Sequence, residues 1–262
     1  MILVKTVIAD FIAAWNMLSD RALPRIPGPL GAGKATSAGV LVCFPLIGLV
    51  SGFLTVAVAL LAQMCMSRFA GAFVFMLLAG AVLWFKDSGR GLSMLISYAA
   101  RRFSGMTSSR ALDAASPGME NSLGSPMVMM FSAVGIVALL GMLFALFYRG
   151  AALWFPAVLT ADALVQARLC LLTDRRTGSP FLRNTAPGDM LYLAAAGIAA
   201  AVLMLVIFPR IAAFGAAVIV WVWFWRELPE SPELKSGIAA DWISLWGFWA
   251  AVLMLICGMG LL

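Results

Sequence analysis

The chain has 262 residues, of which 63% are hydrophobic and only 11% charged. Soluble domains carry about 25% charged residues, so the composition predicts an all-α polytopic membrane protein and leaves no length for a large soluble domain. The net charge of +6 fits loop topology and lipid headgroups rather than nucleic acid, and the lack of any histidine excludes His metal sites, His general bases and Ser-His or Cys-His nucleophiles.

The N-terminal segment, residues 1–36, opens on MILVKTVIADFIAAWNML, with Lys5 and Asp10 inside its apolar stretch. It has no small-residue cleavage site and reads as an amphipathic interfacial helix rather than a signal peptide. GPLGAGKATS has the Gly28 and Gly33-Lys34 of a P-loop, but Ala35 stands where Ser or Thr would hold magnesium. No strand precedes it, and Pro24, Pro27 and Pro29 favour an extended basic connector in which Lys34 can meet a phosphate.

Seven apolar runs follow, at roughly 37–62, 69–86, 127–148, 151–172, 190–208, 210–225 and 242–262. The second and sixth are short, which fits a re-entrant or half-buried segment. In the first, Pro45 removes a helix hydrogen bond, and Gly48 and Gly52, four apart, form a small face for close helix packing. Cys43, Cys65, Cys170 and Cys257 lie far apart in apolar runs; with no CxxC, they read as buried free thiols, not a zinc site or a disulfide frame.

The connections alternate in charge. Residues 1–36, 86–126, 173–189 and 226–241 carry 4, 5, 3 and 2 basic residues, whereas Arg68, Arg149 and Arg210 each stand alone. The positive-inside rule makes the rich set cytoplasmic, with the N-terminus inside and the C-terminus outside. The acids sort the same way, so any chemistry belongs at the cytoplasmic face of a single membrane domain spanning 1–262. Asp162 is the acid set deep in a run; it reads as a functional site or as a structural acceptor, and Arg168, six residues on, is off its helical face. The tryptophans of WVWFWRE and DWISLWGFW read as interface anchors.

The charged knot KDSGRG ends the second run. Asp87 could bind a divalent cation, but flanked by Lys86 and Arg90 it also reads as a neutralised helix end, and the next acids, Asp113 and Glu120, lie over 25 residues on.

In this order the segments resemble the cobalamin synthase family, the adenosylcobinamide-GDP ribazoletransferases, over nearly the whole chain. MLSDRALPRIP is similar to the family's Phe-x-Thr-Arg-Leu-Pro opening, and FPLIGLVSG to its Phe-Pro-hydrophobic-hydrophobic-Gly segment. WFKDSGRGLSML falls where the family has His-hydrophobic-Asp-Gly-x-x-Asp-x-x-Asp-Gly, GMENSLGSPM where it has Met-Lys-Asp-Ser-Arg-x-Gly, and ESPELKSGIAADW where it has Gly-Gly-x-Thr-Gly-Asp, a spacer and an acid. Position by position, Lys86 replaces the His, and Ser88, Leu92 and Leu95 replace the three aspartates, while Gly89 is kept. Glu120 and Asn121 stand at the basic residue and the Asp; Ser122, Gly124, Gly237 and Asp241 are kept.

The resemblance implies transfer of adenosylcobinamide phosphate from adenosylcobinamide-GDP to α-ribazole with release of GMP, at the cytoplasmic membrane, with magnesium as cofactor and corrinoid and nucleotide substrates as partners. By the same resemblance the catalytic set is Asp87, Asp113, Glu120, Asn121 and Ser122. Lys86, Gly89, Arg90, Gly124 and Asp241 contact substrate, and Asp87 and Glu120 hold the metal. Two other classes fit the residues: an inactive homologue acting as a membrane scaffold or corrinoid binder, and a small transporter with Asp162 and Arg168 in its pathway.

Overall fold

A computed structural model describes residues 2–18, 37–86, 90–105, 126–177, 189–207 and 240–260. Among them the chain forms eight α-helices and one 3-10 turn, with no strand. The helices are α1 (Ile2–Leu18), α2 (Ser37–Cys65), α3 (Arg68–Lys86), α4 (Arg90–Phe103), α5 (Pro126–Tyr148), α6 (Phe155–Thr177), α7 (Asp189–Ile207) and α8 (Ala240–Gly260). Six of them cover six of the seven apolar runs; the sixth run, 210–225, lies outside the described residues. Two, α2 and α5, are long and apolar enough over their described residues to cross a membrane.

α6 is the centre. It packs most extensively against α2 on one side and α8 on the other. Both contacts are made by glycine. A Cβ at Gly48 of α2 would stand 2.7 Å from the Leu159 carbonyl oxygen, and one at Gly52 would stand 2.5 Å from Pro156 Cα. At Gly247 and Gly258 of α8 it would run into Asp162 and the Trp154 indole. Without side chains at Gly48 and Gly52, α2 and α6 approach to backbone contact, whereas at Gly247 and Gly258 α8 packs directly on the side chains of Asp162, Gln166 and Trp154. The Gly48–Gly52 face read from the sequence is therefore a packing seam. Pro45 is inside α2, as expected.

The same contacts give direction. Gly48 meets Leu159 while Gly52 meets Pro156, so α2 and α6 are antiparallel. Gly247 meets Asp162 and Gly258 meets Trp154, so α8 is antiparallel to α6 as well. Leu193 of α7 clusters with Ala163, Leu164 and Ala167, whereas Ala200 and Met204 join the cluster around Trp154 and Phe155, so α7 also opposes α6. Lys86, Pro126, Thr177, Asp189 and Ala240, with the start of α2, thus end helices at one pole of the bundle. At the other pole the turns are tight. Met66 and Ser67 join α2 to α3, with Ser67 Oγ accepting from the Ala70 N–H at 3.1 Å as an N-cap. Gly150, at φ +82°, ends α5, and the Ala151 N–H donates back to the Leu146 carbonyl at 2.9 Å. This is a glycine-terminated helix end of the Schellman kind, available to glycine because it has no Cβ to clash in the left-handed region.

Two sequence expectations are corrected. The stretch 86–126 was expected to be a loop, but 90–103 is the helix α4. Leu92, Ile96 and Ala100, at successive i+4 positions, are buried in the main core against α5 and α8. α4 also runs antiparallel to α5, since Ile96 lies by Gly135 and Phe103 by Phe131, so it continues the sense of α3 past the charged knot. Its core-facing row makes burial, not propensity, the reason that it is helical. The thiols were expected to be buried; Cys43 is, but Cys65, at the tight pole, is exposed. Cys170 lies outside the described side chains. As for the N-terminal helix, α1 turns Asp10 and Ala14 inward against α2.

Replacing Gly48 or Gly52 by Ala should destabilise the protein by roughly 1–3 kcal/mol, because a backbone neighbour has to move. Gly141 of α5, with nothing within 4 Å of its added Cβ, should tolerate Ala and gain up to about 1 kcal/mol of helix propensity. Thermal unfolding of the three variants in one detergent checks the contrast.

Candidate functional site

Asp87, Gly89, Asp113, Glu120, Asn121, Ser122 and Gly124 lie outside the described residues. Lys86 closes α3, Arg90 opens α4 and Asp241 is in the first turn of α8; their side chains are outside the described set. The structure thus puts the backbone of Lys86, Arg90 and Asp241 at helix ends. Ser88 is outside the described residues, but the two other positions where the resembled family has aspartates are described. Leu92 is 7% exposed in the main core, and Leu95 packs against that core. An apolar side chain there serves the α4–α5–α8 contact and offers a cation no oxygen.

Among the described residues, no group of three or more His, Cys, Asp or Glu comes together. Magnesium asks for near-octahedral oxygen ligation, and the described side chains do not assemble it. The carboxylates offered for it, Asp87 and Glu120, belong to segments outside them.

The described polar residues concentrate instead on α6. Thr160, Asp162, Gln166 and Arg168 are all buried, with Asp162 only 3% exposed. Gln166 Nε2 donates to Asp162 Oδ1 at 2.7 Å. Four residues apart on one helix, the two side chains lie one above the other. Gly247 presses on both. Thr160 Oγ1 donates to the Pro156 carbonyl at 2.7 Å, and Trp154 Nε1 to the Met254 carbonyl at 2.8 Å, which ties α8 to the start of α6. On α2, Ser51 Oγ donates to the Ile47 carbonyl at 2.6 Å and Thr55 Oγ1 to the Ser51 carbonyl at 2.8 Å. Hydroxyls in these helices return their hydrogen bonds to the preceding turn, as they do where water is scarce.

Gln166 and Gly247 were missed from the sequence. The i+4 offset from Asp162 to Gln166 was a readable signal. The contact with Gly247, 85 residues away, was not. The transport reading needs a polar path at Asp162. There Gln166 donates to its carboxylate, and no methyl group fits at position 247.

Comparison of the chain with protein-family models, with curated proteins and with solved structures gave no match.

Gln166→Leu should destabilise by roughly 1–3 kcal/mol, by removing a donor from a buried acceptor. Gly247→Ala should do so by a similar amount through overpacking. Because both act on one contact, the double variant should cost less than the sum, which a double-mutant cycle in thermal or denaturant unfolding measures.

Proposed function

We propose that the chain is a multi-pass protein of the cytoplasmic membrane, of the cobalamin synthase type, and works in lower-ligand attachment late in cobalamin biosynthesis. The carrying observation is an inversion of burial. α5, among the most apolar helices, is mostly exposed, and shows Met129, Met130, Val134 and Val137 outward. α6, with Asp162, Gln166 and Arg168, is buried on nearly every side along its described residues. Water as solvent favours the opposite arrangement, whereas a bilayer favours this one, with apolar faces out and ionisable groups turned into the bundle. α2 extends the outer surface with Val42, Leu46, Val50, Leu54, Val58 and Leu61, an exposed apolar row along one face of the helix.

Seven spans follow from the same reading. Ile207 and Ala240 end helices at opposite poles, which is what a crossing by the run at 210–225 requires. The helix ends that flank the basic segments 86–126 and 173–189 lie at one pole, which supports a cytoplasmic assignment for that pole. The order of segments along the chain, with FPLIGLVSG on α2 at the seam with α6, supports the family reading. This reading requires Asp87, Asp113, Glu120 and Asp241 to converge at the cytoplasmic mouth, with Lys86 and Arg90 as contacts for the substrate.

A second reading, a homologue that binds corrinoid but does not transfer it, is favoured by one observation. Leu92 and Leu95 fill the core at two aspartate positions.

The protein should remain with the membrane after alkaline carbonate washing; release into the supernatant would end the membrane reading. Purified protein given adenosylcobinamide-GDP, α-ribazole and magnesium separates the rest. Release of GMP, lowered roughly a hundredfold by Asp87→Asn, is the transferase outcome. Saturable binding of adenosylcobinamide-GDP without GMP is the scaffold outcome. Neither binding nor GMP, with an active ribazoletransferase as positive control, removes both.

A further inference from the structure

α5 has an aromatic–arginine cluster at each end. At the tight pole, Arg68 Cζ stands 5.3 Å over the Tyr148 ring, a cation–π contact, and Tyr148 stacks on Phe144 at 5.7 Å. At the other end, Phe103 of α4 packs on Phe131 at 5.1 Å, directly after Arg101 and Arg102. From Phe131 to Tyr148, α5 rises about 26 Å at roughly 1.5 Å per residue. A bilayer's hydrocarbon core is about 30 Å thick. The two clusters are therefore spaced as the two headgroup boundaries are.

We propose that the last turn of α4 is a phospholipid headgroup site. Arg101 and Arg102 bind the phosphate of an anionic lipid, and Phe103 lies beside its first acyl carbons. This rests on the membrane reading above. α4 has the form that such a site needs: Leu92, Ile96 and Ala100 anchor one face in the core, and the basic residues follow at the free end. Phe103 is 72% exposed although it adjoins two arginines, an arrangement that suits neither water nor hydrocarbon alone and suits their boundary. Arg102 is exposed and Arg101 beside it is half-buried. The helix end does not need these charges for capping. Ser104 Oγ donates to the Arg101 carbonyl at 2.7 Å, and the Gly105 N–H to the Arg102 carbonyl at 3.1 Å. A guanidinium presents paired donors that match phosphate oxygens, and two adjacent ones select an anionic lipid over a zwitterionic one.

The test is native mass spectrometry of the delipidated full chain in neutral detergent, titrated with phosphatidylglycerol or phosphatidylcholine. The parent should retain phosphatidylglycerol with a preference of about tenfold. Arg101→Gln with Arg102→Gln should bring the preference close to one. Arg102→Gln alone, at an exposed position, should lower it partway and guards against a folding defect. Arg149→Gln, at the opposite pole, should leave it intact. Equal retention of the two lipids by the parent, or an undiminished preference in both glutamine variants, overturns the proposal. So does displacement of the lipid by millimolar inorganic phosphate, which would mark a site for a soluble phosphate instead. A protein that resists carbonate washing yet shows no preference loses this site and keeps the membrane reading.

Discussion

The closest constraint in this molecule is the width of α6's two neighbours. Gly48 and Gly52 bring α2 onto α6 from one side, and Gly247 and Gly258 bring α8 onto it from the other. In each case the missing side chain is replaced by backbone or side-chain atoms of the α6 region at contact distance. The consequences reach beyond packing. Only with α8 this close does Trp154 Nε1 reach the Met254 carbonyl, and only then is the Asp162–Gln166 pair closed over. A polar helix can be central because its partners are thin enough to enclose it without leaving voids around its charged groups.

From that centre the antiparallel arrangement follows, and with it the separation of the poles. Tight turns at 66–67 and 149–151 hold one pole. Lys86, Pro126, Thr177, Asp189 and Ala240, with the start of α2, end helices at the other. Asp162 is the instructive case: an acid deep in an apolar run invites a functional reading, yet its surroundings are those of a satisfied structural group. α4 belongs to the mouth but not as a loop. Its inner row of Leu92, Ile96 and Ala100 closes the core.

Much of this was legible in the residues. The apolar runs at 37–62, 69–86, 127–148, 151–172, 190–208 and 242–262 reappear as helices because about 20 apolar residues in succession leave the backbone few ways other than a helix to pair its polar groups. The glycine seam of α2 was visible because small residues four apart share one face. α4 is hard to read from length alone, because its charges, Arg90, Arg101 and Arg102, bracket a stretch too short to be a span. Its i+4 apolar row was the better signal. The candidate site was legible only as a set of residue types in connecting segments. Spacing along a chain does not say whether Asp113 and Glu120 meet Asp87, since loop closure between them depends on everything the loops pack against.

The sequence by itself determined that the chain is helical, which segments are apolar and where along the chain the basic residues gather. Those properties follow from composition and local periodicity, and each is set by residues within a few turns of one another. Tertiary structure alone decided that α6 is the centre, that Gly247 closes over Asp162 and Gln166, and that Leu92 and Leu95 face inward. Each of these is a contact between segments far apart in sequence, and shape complementarity between helices, not the identity of any one of them, selects it.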